Sequence, residues 1–302
     1  MKKVYICILI TAFLFATMEV VLKLAGETMD PLQLTFLRFM IGGSALFPFA
    51  LAEIKKKKLK LAIKDYLYLA LLGILCVPVS MLLFQLGILY SKASTAAVLF
   101  SINPMFTIIF AHFLTSERIT KARIIFLILG LIGVLFMMRP WELQQGNTIL
   151  GLTFTISAAL TFGLYTVMGK ISVEKTGIIA QTSISFIFGS LVLLIVILIT
   201  DRPVIDGVAE NLMLVLYISL LVTGVGYYSY FTAIKNSDAA TGSFAFFIKI
   251  VIAPVIAVIV LGDQILWNTY IGIIFILIAS YLNIIDKKGM LRGKNLGEDK
   301  HE

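Results

Sequence analysis

The feature that most constrains this chain is the recurrence of apolar stretches of about 15 or more residues without a charged side chain, bounded by short clusters of Lys, Arg, Asp and Glu. A helix rises about 1.5 Å per residue, so roughly 20 apolar residues cross the ~30 Å hydrocarbon layer of a bilayer. The runs are continuous rather than alternating. That selects helices, which satisfy their own backbone hydrogen bonds in lipid, over a β-barrel. Cut at this length, the sequence predicts an all-α integral membrane protein with ten transmembrane helices: Val4–Ala25, Pro31–Ala52, Asp65–Tyr90, Ala93–Thr115, Arg123–Met138, Ile149–Ile171, Ile178–Thr200, Leu212–Ile234, Ala239–Leu261 and Trp267–Ile285. The fifth is the shortest and is expected to stand upright or to thin the bilayer locally. The connections are too short to hold a soluble domain. With 60% hydrophobic and 14% charged residues, the chain has too little polar surface for water.

A formal charge of +8 raises the question of nucleic acid, but the basic residues cluster between apolar stretches instead of along one amphipathic face. Membrane orientation accounts for them. With the N-terminus inside, cytoplasmic segments hold Lys2, Lys3, Lys55, Lys56, Lys57, Lys58, Lys60, Lys64, Arg118, Lys121, Arg123, Lys170, Lys175, Lys235 and the basic residues of the tail. Outer segments hold only Lys92, Arg139 and Arg202, with Lys23 at a boundary. This asymmetry predicts a multi-pass protein of the cytoplasmic membrane with both termini cytoplasmic. The apolar run after Lys3 continues past Glu19 and Lys23 without a small-residue cleavage site, so it reads as the first span and not as a removed signal. Cys7 and Cys76 lie inside apolar segments and carry no disulfide or zinc spacing.

The two halves resemble each other. At one constant offset Phe15, Lys23, Phe39 and Gly42 meet Phe162, Lys170, Phe186 and Gly189. At an offset one residue shorter, Ala93, Thr95 and Phe100 meet Ala239, Thr241 and Phe246, and Ser116-Glu117 meets Gly262-Asp263. A duplicated unit of five spans enters the bilayer from opposite sides in its two copies. The expected architecture is therefore two inverted five-helix repeats, 1–140 and 141–286, followed by a polar cytoplasmic tail, 287–302, to which no chemistry is assigned.

The stretch GILYSKASTAAVLFSINPMFTIIFAHFLTSERIT, Gly87 to Thr120, resembles the signature of the EamA family in the drug/metabolite transporter superfamily. So does LTFLRF at Leu34 to Phe39, following the segment from Phe15 to Lys23. The resemblance covers residues 4 to 286 and implies a ten-helix transporter, usually an exporter of amino acids or other metabolites. The chain departs from the family pattern in two places. Phe15-Ala16-Thr17 stands where Trp-Gly-Ser is usual, and Lys249-Ile250 stands at the counterpart of Asn103-Pro104, with Pro254 one turn later, so the kink in the ninth span is expected to be displaced.

Chemistry is expected where polar groups sit deep in the bilayer. An ionisable side chain at the centre of a span costs about 2.5 to 3.5 kcal/mol on insertion scales. Lys249 lies near the middle of its span and is expected to bind a substrate carboxylate or phosphate, or to act as a proton-linked switch. Glu19, in the first span past the midplane, is its candidate partner and a candidate ligand for a substrate ammonium or carrier of a coupling proton. A local pair with Lys23 four residues on is the alternative. Arg38 is close enough to the outer face for its long side chain to reach toward water, either lining an external vestibule or anchoring backbone carbonyls. Asn103, Gln85, Tyr165 and Tyr228, with Tyr227 and Tyr230 beside the last, are polar candidates for a cavity lining. Pro78, Pro104, Pro254, Gly224 and Gly226 are expected to interrupt helices, as happens at transporter binding sites.

No GxxxxGK[ST] loop is present, and His112 and His301 lack metal-ligand spacing, so neither a nucleotide motor nor a metal enzyme is expected. The reading that results is a secondary transporter, an exporter of small polar metabolites such as amino acids, working by alternating access. It is expected to need no cofactor beyond a coupling proton, no nucleic acid and no partner except substrate and lipid bilayer, working as a monomer or a homodimer. The alternative is a membrane enzyme acting on lipid-linked substrates, with Lys249 and Glu19 as acid and base.

Overall fold

The computed structural model describes residues 2–115, 121–138, 146–237, 239–242, 244–262, 267–268, 270–275, 277–278 and 281. The tail and parts of the tenth span lie outside the described residues, as do Ser116-Glu117, Arg118, Arg139, Asp263 and His301. Among the described residues all regular structure is helical.

The helices are α1 (Lys2–Ala25), α2 (Pro31–Lys56), α3 (Ile63–Leu89), α4 (Ala93–Phe100), α5 (Asn103–Leu114), α6 (Lys121–Met138), α7 (Ile149–Thr176), α8 (Ile178–Ile199), α9 (Leu212–Lys235), α10 (Ala239–Gly242) and α11 (Phe244–Leu261). Among the described residues, seven rods are long and apolar enough to cross a membrane: α1, α2, α3, the α4–α5 pair from Ala93 to Leu114, α7, α8 and α9.

The expected interruptions take specific forms. Pro78 sits in a π-helical stretch of α3, Leu75–Met81, and Gly224 and Gly226 close a second one in α9, Tyr217–Gly226. A proline lacks the amide hydrogen and a wider turn accommodates the carbonyls it frees, so a π segment is the local solution. Pro104 occupies the first turn of α5, just after the break that ends α4 at Phe100. Pro254, in contrast, lies within α11, Phe244–Leu261.

Helix ends show why the elements start where they do. Asp30 caps α2 by accepting from the Leu32 amide at 2.8 Å, with Pro31 in the first turn, and Thr148 caps α7 by accepting from the Gly151 amide at 3.0 Å. Gly177 alone joins α7 to α8 at φ +87, a left-handed conformation that any side chain would strain. The start of α8 is capped from another helix. The Glu53 carboxylate at the end of α2 accepts from the Ile179 and Ala180 amides at 2.8 and 3.2 Å. Glu53→Ala is expected to cost about 1 to 2 kcal/mol, the range for losing a helix cap, read as a lower melting temperature of the purified protein.

Packing runs across the two halves. α2 lies along α8, α1 along α11, α3 along α8 and α7, α5 along α7, and α9 along α1 and α2. Backbones approach where glycines allow it: a side-chain carbon added at Gly73 would fall 2.0 Å from the Ser185 carbonyl oxygen, and one at Gly189 2.2 Å from that of Gly73. Between the helices sits an aromatic core. Phe39 meets Phe186 edge-on at 4.7 Å, and Phe162 contacts Phe100, Tyr165 and Phe246 at 5.3 to 5.7 Å.

Candidate functional site

Charge enters this apolar core at three places. Glu19 on α1, Arg38 on α2 and Lys249 on α11 are all at most 1% exposed. Lys249 Nζ and Glu19 Oε1 form an ion pair that ties α1 to α11. The local alternative for Glu19 is not adopted. The Lys23 ammonium donates instead to the Ile88, Leu89 and Ser91 carbonyls at 2.9, 3.4 and 3.0 Å, where the C-terminal end of α3 presents unpaired oxygens and the negative end of its dipole.

Three rings surround the Lys249 ammonium. Phe84, Phe100 and Phe246 place their centroids 5.6, 5.1 and 5.7 Å from Nζ, within range of cation–π attraction. The pair is otherwise under-satisfied: neither carboxylate oxygen of Glu19 nor the ammonium of Lys249 has a hydrogen-bond partner among the described residues.

Arg38 departs from the sequence expectation. It does not reach toward water; its side chain is completely buried, with the guanidinium carbon 4.6 Å from the centroid of the Phe39 ring. The start of α2 is also tied to the segment after α8. Arg202 pairs with Asp30 at 3.1 Å, Gln33 donates to the Asp206 carbonyl at 2.7 Å and Asn211 donates to the Thr28 hydroxyl at 2.7 Å. From Gln33 to Phe39 the helix is buried throughout. All three guanidinium nitrogens lack a hydrogen-bond partner among the described residues. Arg38 is electrostatically coupled to both Glu19 and Lys249.

The remaining candidates divide. Tyr165 is buried in the core, its hydroxyl 3.4 Å from the Gln181 amide nitrogen and in contact with the Cys76 thiol. Tyr227 joins the same cluster, touching Cys76 and donating to Met81 Sδ at 3.3 Å, and Tyr230 bonds Thr166 at 3.1 Å. Tyr228 is not brought to this cluster. It is one position, hence about 100°, around the helix from Tyr227 and is half-buried. Asn103 is buried at the start of α5, its amide donating to the Phe100 carbonyl at 2.9 Å while its own oxygen has no partner. Gln85 lies elsewhere, lining a cavity of about 300 Å³ with Leu22, Lys23, Gly26, Glu27, Ile88 and Leu89. Lys23, on its rim, is one turn of α1 beyond Glu19, about 6 Å along the axis.

Sequence reasoning missed the ring enclosure of Lys249. Phe100 and Phe246 stood out only as matching positions of the two halves, and nothing in a run of apolar residues marks Phe84. Cys76 and Gln181 were passed over for the same reason.

The chain matches the model of the EamA-like transporter family over residues 2–139 and 149–285, and it belongs to that family. It is a multi-pass membrane transporter by that membership. Among its relatives, an uncharacterized transporter of Clostridium kluyveri is 42% identical over 295 residues, covering 95% of each chain. The uncharacterized transporter YoaV of Bacillus subtilis is 25% identical over 288 residues, covering 94% of this chain and 97% of its own. A solved crystal structure superposes with a TM-score of 0.72 at 14% identity, over 96% of this chain and 99% of the other, a likeness of fold.

Proposed function

We propose that the protein is a secondary transporter of the cytoplasmic membrane that exports small polar metabolites, amino acids or related compounds, by alternating access. In this reading ten helices form two inverted repeats, 1–140 and 141–286, with both termini cytoplasmic, and the solute binds at Glu19, Lys249 and Arg38. The observation that carries it is the buried Glu19–Lys249 pair, which joins the first half to the second among groups that lipid alone would not keep.

The packing supports inversion. Exchanging the halves turns the contact of Ala16 with Ala253 into that of Gly163 with Thr107, and the approach of Gly42 to Ser219 into that of Gly189 to Gly73. The end of α1, through Lys23, and the start of α7, through Thr148, both meet the C-terminal end of α3. The first helix of each half therefore points the opposite way, as repeats related by a twofold in the membrane plane require. Clasps link the halves at both faces, Asp30 with Arg202 at one and Asp65 with Lys175, 2.6 Å apart, at the other. Opening to either side means parting one set while the other holds.

The test is transport by purified protein in sealed proteoliposomes. Labelled amino acids and related carboxylates should move down an imposed gradient, and Lys249→Gln should abolish movement in protein that still inserts. Full transport by Lys249→Gln would remove the site assignment. No observation favours the enzymatic alternative.

A further inference from the structure

Resting on that reading, we infer that the transported solute is a monoanion, and that Arg38 takes its carboxylate. Among the described residues, the three charges inside the core do not balance. One carboxylate, Glu19, faces two cations, and its ion pair is with Lys249. The other side chains coupled to Arg38, Cys76 on α3 and Tyr227 on α9, are a thiol and a phenol and bring no fixed negative charge. Arg38 is left with a whole guanidinium fork of donors, fully buried and unanswered by any described residue. A buried guanidinium without hydrogen bonds is a costly group to retain. Its planar fork matches the two oxygens of a carboxylate, which a lysine ammonium does not.

The same count argues about the rest of the solute. A zwitterion brings no net charge and leaves the excess positive charge standing, because the charge of Glu19 is already balanced by Lys249. The side chains packed around it are rings: Phe39 beside Arg38, then Phe15, Phe186 and Tyr227, with Phe15 5.2 Å and Phe186 5.0 Å from Tyr227. The arrangement favours a single carboxylate on an apolar body over a zwitterion of the same shape, and disfavours a cation.

Isosteric sets separate these cases. Purified full-length protein is titrated with 4-methyl-2-oxopentanoate, leucine and leucinamide, and with phenylpyruvate, phenylalanine and phenylalaninamide, with thermal stability as the readout. The oxo acids should stabilise saturably, the zwitterions about tenfold more weakly or worse, and the amides not at all. Arg38→Gln should weaken the oxo-acid response about tenfold or more, while the unliganded variant melts no lower than wild type because a lone buried charge has been removed. Arg38→Lys, which keeps the charge and loses the fork, should also respond weakly. Stabilisation by neither oxo acid, equal stabilisation by zwitterion and oxo acid, or an unchanged response in Arg38→Gln would overturn the inference. Movement of leucine across proteoliposomes, sensitive to Lys249→Gln and without carboxylate preference, would overturn it and leave the transporter reading standing. Arg38-dependent oxo-acid binding without movement of any solute would support it and contradict that reading.

Discussion

Glu19→Gln is expected to destabilise the protein by about 3 to 5 kcal/mol, the cost of leaving one member of a buried ion pair without the other. Lys249 is fully buried, its counter-charge is Glu19, and the second cation in reach, Arg38, adds repulsion once the carboxylate is gone. The rings of Phe84, Phe100 and Phe246 remain, but cation–π attraction of about 0.5 to 2 kcal/mol does not replace a full counter-charge. Purified Glu19→Gln should melt well below wild type. Removing both charges, as Glu19→Gln with Lys249→Met, should recover most of the loss, because neither member of the pair is then left charged without the other. If the single variant melted at the wild-type temperature, the pair would carry no structural weight.

Gly73→Leu and Gly189→Leu are the other changes with large expected effects. The atoms that an added side chain would strike at Gly73 are backbone: the Ser185 oxygen at 2.0 Å and the Gly189 nitrogen at 2.7 Å. No rotamer change relieves a clash between main chains, so α3 and α8 must separate along their whole contact. The cost is expected at or above about 3 kcal/mol, the upper end of the usual overpacking range. Gly224→Ala serves as the control, since its new carbon would meet one atom, the Ser219 oxygen, at an ordinary 3.5 Å. Both leucine variants should fail to yield monodisperse protein in detergent while Gly224→Ala behaves as wild type. Normal yield and melting of Gly73→Leu would show that the two helices do not touch as described.

Span lengths were legible because the hydrocarbon layer imposes one scale on every crossing: α1, α7 and α8 begin within two residues of their expected starts. The pairing of Glu19 with Lys249 was legible too, since two opposite charges deep in apolar segments have few other partners. Arg38 was misjudged because distance along a helix does not measure exposure where neighbouring helices enclose it: α2 is buried throughout from Gln33 to Phe39, packed against α8 and α9. Which of Tyr227, Tyr228 and Tyr230 faces the core was not legible, because the π segment of α9 that ends at Gly226 fixes the face the following tyrosines present. The π turns themselves were foreshadowed by Pro78 and by Gly224 with Gly226. Their register depends on packing against α8 and α2, which one strand of sequence does not encode locally.

In the proposed mechanism solute passes between the two halves by way of the Glu19–Lys249–Arg38 cluster. Efflux from proteoliposomes loaded with labelled amino acids and their 2-oxo analogues tests it most directly, comparing wild type with the Glu19→Gln, Lys249→Met double variant. Wild type should show saturable efflux of at least one solute, and the double variant none at comparable thermal stability. Efflux at the wild-type rate from the double variant would contradict it.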